Sequence, residues 1–131
     1  MFSIEDIKAA ENKIKTGTDF PKFIAELKTL GVVRNDVYVS TGLSIYFDDE
    51  DNVQQISPQD YPSLVVNDEV SKDKLSHALN IHQQGQTDYF TFCKQAADAG
   101  VEKWVIDLNA MTCTYLTSQA EELVQEQIPH V

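Results

Sequence analysis

The sequence contains no apolar run long enough to cross a bilayer and no apolar stretch of signal-peptide type. Its opening residues, Met1-Phe2-Ser3-Ile4-Glu5-Asp6, carry no basic segment, and its closing residues, Ile128-Pro129-His130-Val131, carry no lipidation signal. Basic residues are scarce: 10 Lys and Arg stand against 21 Asp and Glu, a net charge of −11. That balance repels phosphate backbones and anionic lipid, so neither nucleic acid nor membrane is expected as a partner. The 2 cysteines lack the close-spaced ligand pairs of a zinc site, and with no export signal they read as free thiols in a reducing compartment. The expected location is therefore cytoplasmic. No glycine-rich phosphate loop, nucleophile elbow or zinc-protease helix is present, so neither a metal nor a cofactor is expected. A chain of 131 residues, 42% apolar, is suited to a single domain over residues 1–131.

What the sequence does have is itself, twice. Thr18-Asp19-Phe20 recurs as Thr87-Asp88-Tyr89, 69 positions later. In the same register Phe23 meets Phe92, Gly31-Val32 meets Gly100-Val101, and Val37, Val39 and Tyr46 meet Ile106, Leu108 and Tyr115. Upstream the offset is 68, so Ser3, Ile7, Ala10, Asn12 and Gly17 meet Ser71, Leu75, Ala78, Asn80 and Gly85. Ordered matches over glycines, caps and apolar positions predict an internal duplication, with copies over about 3–56 and 71–128 and a connector over 57–70.

Each copy reads as two helices followed by three strands. Ser3 and Ser71 are placed to cap a first helix, ended by Gly17 or Gly85. A second helix starts after Thr18-Asp19 or Thr87-Asp88, with Pro21 just inside the first of these. Phe20, Phe23, Ile24 and Leu27 form one apolar stripe, echoed by Tyr89, Phe92, Cys93 and Ala96. Gly31 and Gly100 then supply left-handed caps. Beyond them the apolar period falls to two, and short turns separate strands in a meander. The fold class expected is α+β: two tandem diverged ααβββ repeats sharing one core, with helices packed on one face of an antiparallel sheet.

Residues found in both copies serve the unit, so polar residues confined to one copy are the better functional candidates. The second copy alone has His77, His82, Gln83, Gln84, Cys93 and Trp104, where the first has Ala9, Ile14, Lys15, Thr16, Ile24 and Asn35. His82, Gln84, Tyr89 and Trp104 belong to a helix end, a helix start and a strand start around one glycine turn. They form the candidate ligand-binding set. A Cys93–His82 pair would activate a thiolate if the side chains met, although a cysteine replacing an isoleucine also suits a core. His77 and His82 are five apart and diverge on a helix. The run Asp48-Asp49-Glu50-Asp51 lacks the glycine and terminal glutamate of a calcium loop and reads as a solvated turn.

The stretches His82-Gln83-Gln84-Gly85-Gln86-Thr87-Asp88-Tyr89-Phe90-Thr91-Phe92-Cys93 and Ala99-Gly100-Val101-Glu102-Lys103-Trp104-Val105-Ile106-Asp107-Leu108 carry a family resemblance. So does Met111-Thr112-Cys113-Thr114-Tyr115. The chain resembles small bacterial proteins of unknown function often labelled "phage envelope protein". A prophage or mobile-element history would fit that label, and the resemblance brings no activity, substrate or cofactor with it.

Three functions compete. The first is a binding module that holds a small molecule or a protein in a cleft between the halves. The second is a small enzyme using His82 with Cys93 or a nearby carboxylate. The third is an acidic decoy occupying a nucleic-acid-binding partner.

Overall fold

Two serines open the first helix of each half. In the computed structural model, which describes residues 3–14 and 17–129, Ser3 Oγ accepts from the Asp6 amide and Ser71 Oγ from the Lys74 amide, each at 3.2 Å. They begin α1 (Ile4–Glu11) and α3 (Lys72–Gln83). The second helices are α2 (Phe20–Thr29) and α4 (Tyr89–Asp98). Asp88 caps α4 as expected, its Oδ1 accepting from the Thr91 amide at 2.7 Å. Asp19 makes no capping hydrogen bond to α2. Its backbone is already helical, inside a 3-10 turn over Gly17–Asp19, and a capping side chain needs the extended backbone that Asp88 has. α1 also stops well before Gly17: Asn12 caps it, and the amides of Lys13 and Ile14 turn back to Ala10 and Glu11 in tight i→i−3 bonds.

Gly31 and Gly100 follow α2 and α4, both at φ +93°, where a side chain would strain the backbone. The chain then enters β1 (Val32–Tyr38), β2 (Ser44–Asp48) and β3 (Val53–Ile56), or β4 (Val101–Asp107), β5 (Thr112–Thr117) and β6 (Glu122–Gln127). The six strands make one antiparallel sheet in the order β3-β2-β1-β4-β5-β6.

The two halves follow the same path. Across the central β1–β4 ladder Asp36 pairs with Val105, the residue 69 positions after it. Arg34–Asp107 and Tyr38–Lys103 flank that pair and exchange under the same offset. The Val39 amide donates to Glu102 O at 2.9 Å, and the Leu108 amide to Val33 O at 3.0 Å, again an exchanged pair. Ladder irregularities between Val32 and Arg34 and between Val101 and Lys103 match, while one between Tyr115 and Leu116 belongs to the second half alone. Positive φ recurs at Gly42 and Met111, and at Asp51 and Ala120. Asp48 Oδ1 accepts from the amides of Glu50 and Asn52, while Thr117 Oγ1 accepts from those of Gln119 and Glu121. Asp48 is thus the clasp of a hairpin turn. Burial opposes its charge, yet the bonds from Asn52 and Glu50 hold its carboxyl below the usual range.

Alternation puts Asn35, Val37, Tyr46, Trp104, Ile106, Cys113 and Tyr115 on the helix side, where all are buried. Tyr46 donates to Glu11 of α1 at 2.8 Å, and Trp104 packs on Phe92 of α4. The other face carries its own cover: Arg34 clamps the buried Asp36 through two 3.0 Å bonds and lies 4.1 Å over the Phe47 ring.

The connector is bonded down along its length. Tyr61 donates its hydroxyl to Val39 O at 2.6 Å, Leu64 its amide to Ser40 O, and Asn67 its amide to Ala97 O. Gly42 lies directly beneath it, since a Cβ there would come within 2.8 Å of Pro58 and the Tyr61 ring.

Candidate functional site

Of the four residues singled out in the sequence, two touch. Tyr89 meets Trp104 edge-on, with ring centroids 6.3 Å apart. His82 lies one ring further off. It stacks on Phe92 at 4.6 Å, and Phe92 in turn packs on Trp104 at 5.6 Å, so phenylalanine fills the place between histidine and tryptophan. Gln84 is on the surface, bonded to Asn80 and Gln86. The histidine is committed locally: Nδ1 lies 3.1 Å from both Thr87 O and Thr87 Oγ1. A carbonyl can only accept, so Nδ1 carries the proton. Burial lowers the His82 pKa, against the pull of Thr87 and Asp88, and the ring is neutral near pH 7.

Cys93 is buried one turn after Tyr89. The groups that meet its thiol are the hydroxyls of Tyr61 and Tyr89, not His82. Burial pushes the thiol up, away from the reactive thiolate. Cys113, on β5, is pushed up to about 12 for the same reason. The ring cluster is therefore rooted in the core through Phe92 and Trp104, with His82 at its rim and Tyr89 about half exposed at 49%.

Open space lies instead on the outer side of α4. Lys74, His77 and Ala78 lie at i, i+3 and i+4 on α3 and face Gln95 and Asp98 at i and i+3 on α4. Together they line a depression of about 210 Å³. Asp98 also borders a second depression of about 490 Å³, between α4 and connector residues Leu64–Asp68. Lys74 Nζ and Asp98 Oδ2 are 3.3 Å apart across the smaller one, both side chains more than half exposed. Gln95 Oε1 is buried and has no hydrogen-bond partner, alone in this among the buried side-chain polar atoms of the described residues. Leaving such an acceptor unpaired costs about 1–3 kcal/mol.

The first half shows what is missing. The position matching Gln95 is Glu26, whose carboxylate takes the Lys13 ammonium at 3.2 Å. The position matching Lys13 is Ile81, which has no side-chain donor. Lys74, His77 and Asp98 match Asp6, Ala9 and Thr29. The second half thus has two cationic or hydrogen-bonding groups, one carboxylate and one unsatisfied carbonyl around a small apolar floor. That donor and acceptor set can hold a polar molecule. His77 stands out in the sequence as particular to the second copy; Lys74, Gln95 and Asp98 do not. The signal that exposes them is the difference between Lys13–Glu26 in the first half and Ile81–Gln95 in the second, visible only when both halves are compared pair by pair.

No helix among the described residues is long and apolar enough to cross a membrane. No curated protein matches this chain significantly. The family described as "protein of unknown function (DUF1398)" matches residues 8–127. With nearly all of its length matched, the chain belongs to the DUF1398 family.

Proposed function

We propose that this protein is a cytoplasmic binding module and that its ligand is a small molecule held between α3 and α4. The carrying observation is the buried, unpartnered Gln95 carbonyl beside the depression lined by Lys74, His77, Ala78 and Asp98. The terminal torsion of a glutamine side chain is soft, so a bound donor can draw the carbonyl towards the depression and recover its hydrogen bond. The paired φ values, irregularities and turn clasps support an internal duplication, and that history explains the site. One copy keeps Glu26 neutralised by Lys13, and the other has exchanged that pair for a receptive surface.

Native mass spectrometry of the protein purified gently from its own host tests the reading. The expected result is a small added mass on the wild-type chain that is absent from Gln95→Met, a substitution of similar shape and helix propensity. A chain carrying no added mass, or one whose added mass survives Gln95→Met, contradicts it.

A further inference from the structure

We infer that the depression between α3 and α4 recognises a small zwitterion of the amino-acid type, its carboxylate on Lys74 and His77 and its ammonium on Asp98 and Gln95. The inference rests on the binding reading above and adds the ligand class.

Helix ends carry partial charge, positive at the N-terminus and negative at the C-terminus, and stable helices place opposite charges there. The first half obeys this rule. Glu5 and Asp6 occupy the first turn of α1, and Lys28 the last turn of α2. The second half breaks it at the depression. Lys74 is in the first turn of α3, on the positive end beside Asp73, and Asp98 is the last residue of α4, on the negative end, with no basic residue in that turn. Each helix end therefore adds to the side-chain charge placed on it, and the depression has a positive side at Lys74 and a negative side at Asp98. The 3.3 Å Lys74–Asp98 contact satisfies both only partly, because both side chains remain largely in water.

A ligand with a carboxylate and an ammonium can part that pair and neutralise both poles. His77, a further nitrogen on the α3 side, adds a donor beside the carboxylate. The Gln95 carbonyl adds an acceptor beside the ammonium, and so gains the partner it lacks. The Ala78 floor and the volume of about 210 Å³ restrict the remainder of the ligand to a small group. The charge of the whole chain selects in the same direction: at −11 it opposes a simple anion, whereas a zwitterion approaches without net repulsion.

An amide-resolved NMR titration of the full chain with three probes decides the matter: L-alanine, N-acetyl-L-alanine, which lacks the ammonium, and L-alaninamide, which lacks the carboxylate. L-alanine is expected to shift the amides of Lys74–Ala78 and Gln95–Asp98 saturably. Each blocked probe should bind at least about tenfold more weakly, as loss of one charge-assisted contact requires. Asp98→Asn and Lys74→Gln should each remove the preference for alanine over the probe blocked at the matching end, while leaving the remaining spectrum folded. Equal binding by N-acetyl-L-alanine or by L-alaninamide overturns the ligand class and leaves the site standing. Shifts by none of the probes, in a protein that still carries a Gln95-dependent mass, overturn the class alone. With no such mass either, the binding reading fails too.

Discussion

His82 and Cys93 stand close in sequence and have separate fates in the fold. The histidine spends one nitrogen on Thr87 and one ring face on Phe92, and the cysteine sits under two tyrosine hydroxyls. Two predictions follow from their burial. Protonating His82 is harder in the folded chain than in the unfolded one, where histidine titrates near 6.5. Its contribution to stability is therefore full above that pH and declines as the pH falls from 6.5 towards the depressed native value. Glu11 works oppositely: burial raises its pKa above 4.5 despite the Tyr46 bond, so its ionisation costs stability as the pH rises through the native value. Denaturant melts across pH should show His82→Gln losing the decline that begins below about 6.5. An unchanged slope would remove His82 as its source. Both thiols, likewise, should resist a thiol reagent at pH 8 in the native protein and react fully on unfolding without reductant. Rapid native labelling of Cys93 would contradict the burial that holds it protonated.

At the scale of elements, much was legible in the sequence because short-range chemistry decides it. Ser3, Ser71, Asp88, Pro21, Gly31 and Gly100 do what their types dictate. The misreading of Asp19 has a local cause. Asp19 resembles Asp88 in sequence, but the 3-10 turn before it gives it a helical backbone that no single residue announces. Met111 and Ala120 adopt positive φ without being glycine, because the partner strands and turn clasps hold them there. The candidate site was legible only at His77. Gln95 is remarkable for a partner it lacks, and that absence exists only once α3 and α4 are packed. Two glycines separate backbone strain from crowding. Gly31→Ala, at φ +93° with open space around the new methyl, should cost about 1 kcal/mol. Gly42→Ala, at φ +76° and pressed against Pro58 and Tyr61, should cost about 2–4 kcal/mol and loosen the connector. Equal losses in denaturant melts would show that the connector does not pack as described.

For the molecule as a whole, the sheet joins the two halves at Asp36 and Val105, and their helices differ in ion pairing: Lys13–Glu26 in the first, Lys74–Asp98 in the second. The net charge of −11 opposes a phosphate backbone, so no gel shift of duplex DNA is expected at micromolar protein and physiological salt. A salt-sensitive shift would reverse that expectation and favour a nucleic-acid role. The central claim is that the second half keeps an unsatisfied carbonyl, at a cost in stability, because a ligand uses it. The unfolding free energy of ligand-free Gln95→Met, set beside the wild type, tests this most directly. Removing a buried acceptor that has no partner should stabilise the ligand-free chain by about 1–3 kcal/mol while abolishing ligand retention. A variant that is less stable than the wild type would mean that the Gln95 amide is already satisfied within the fold, and the claim would fall.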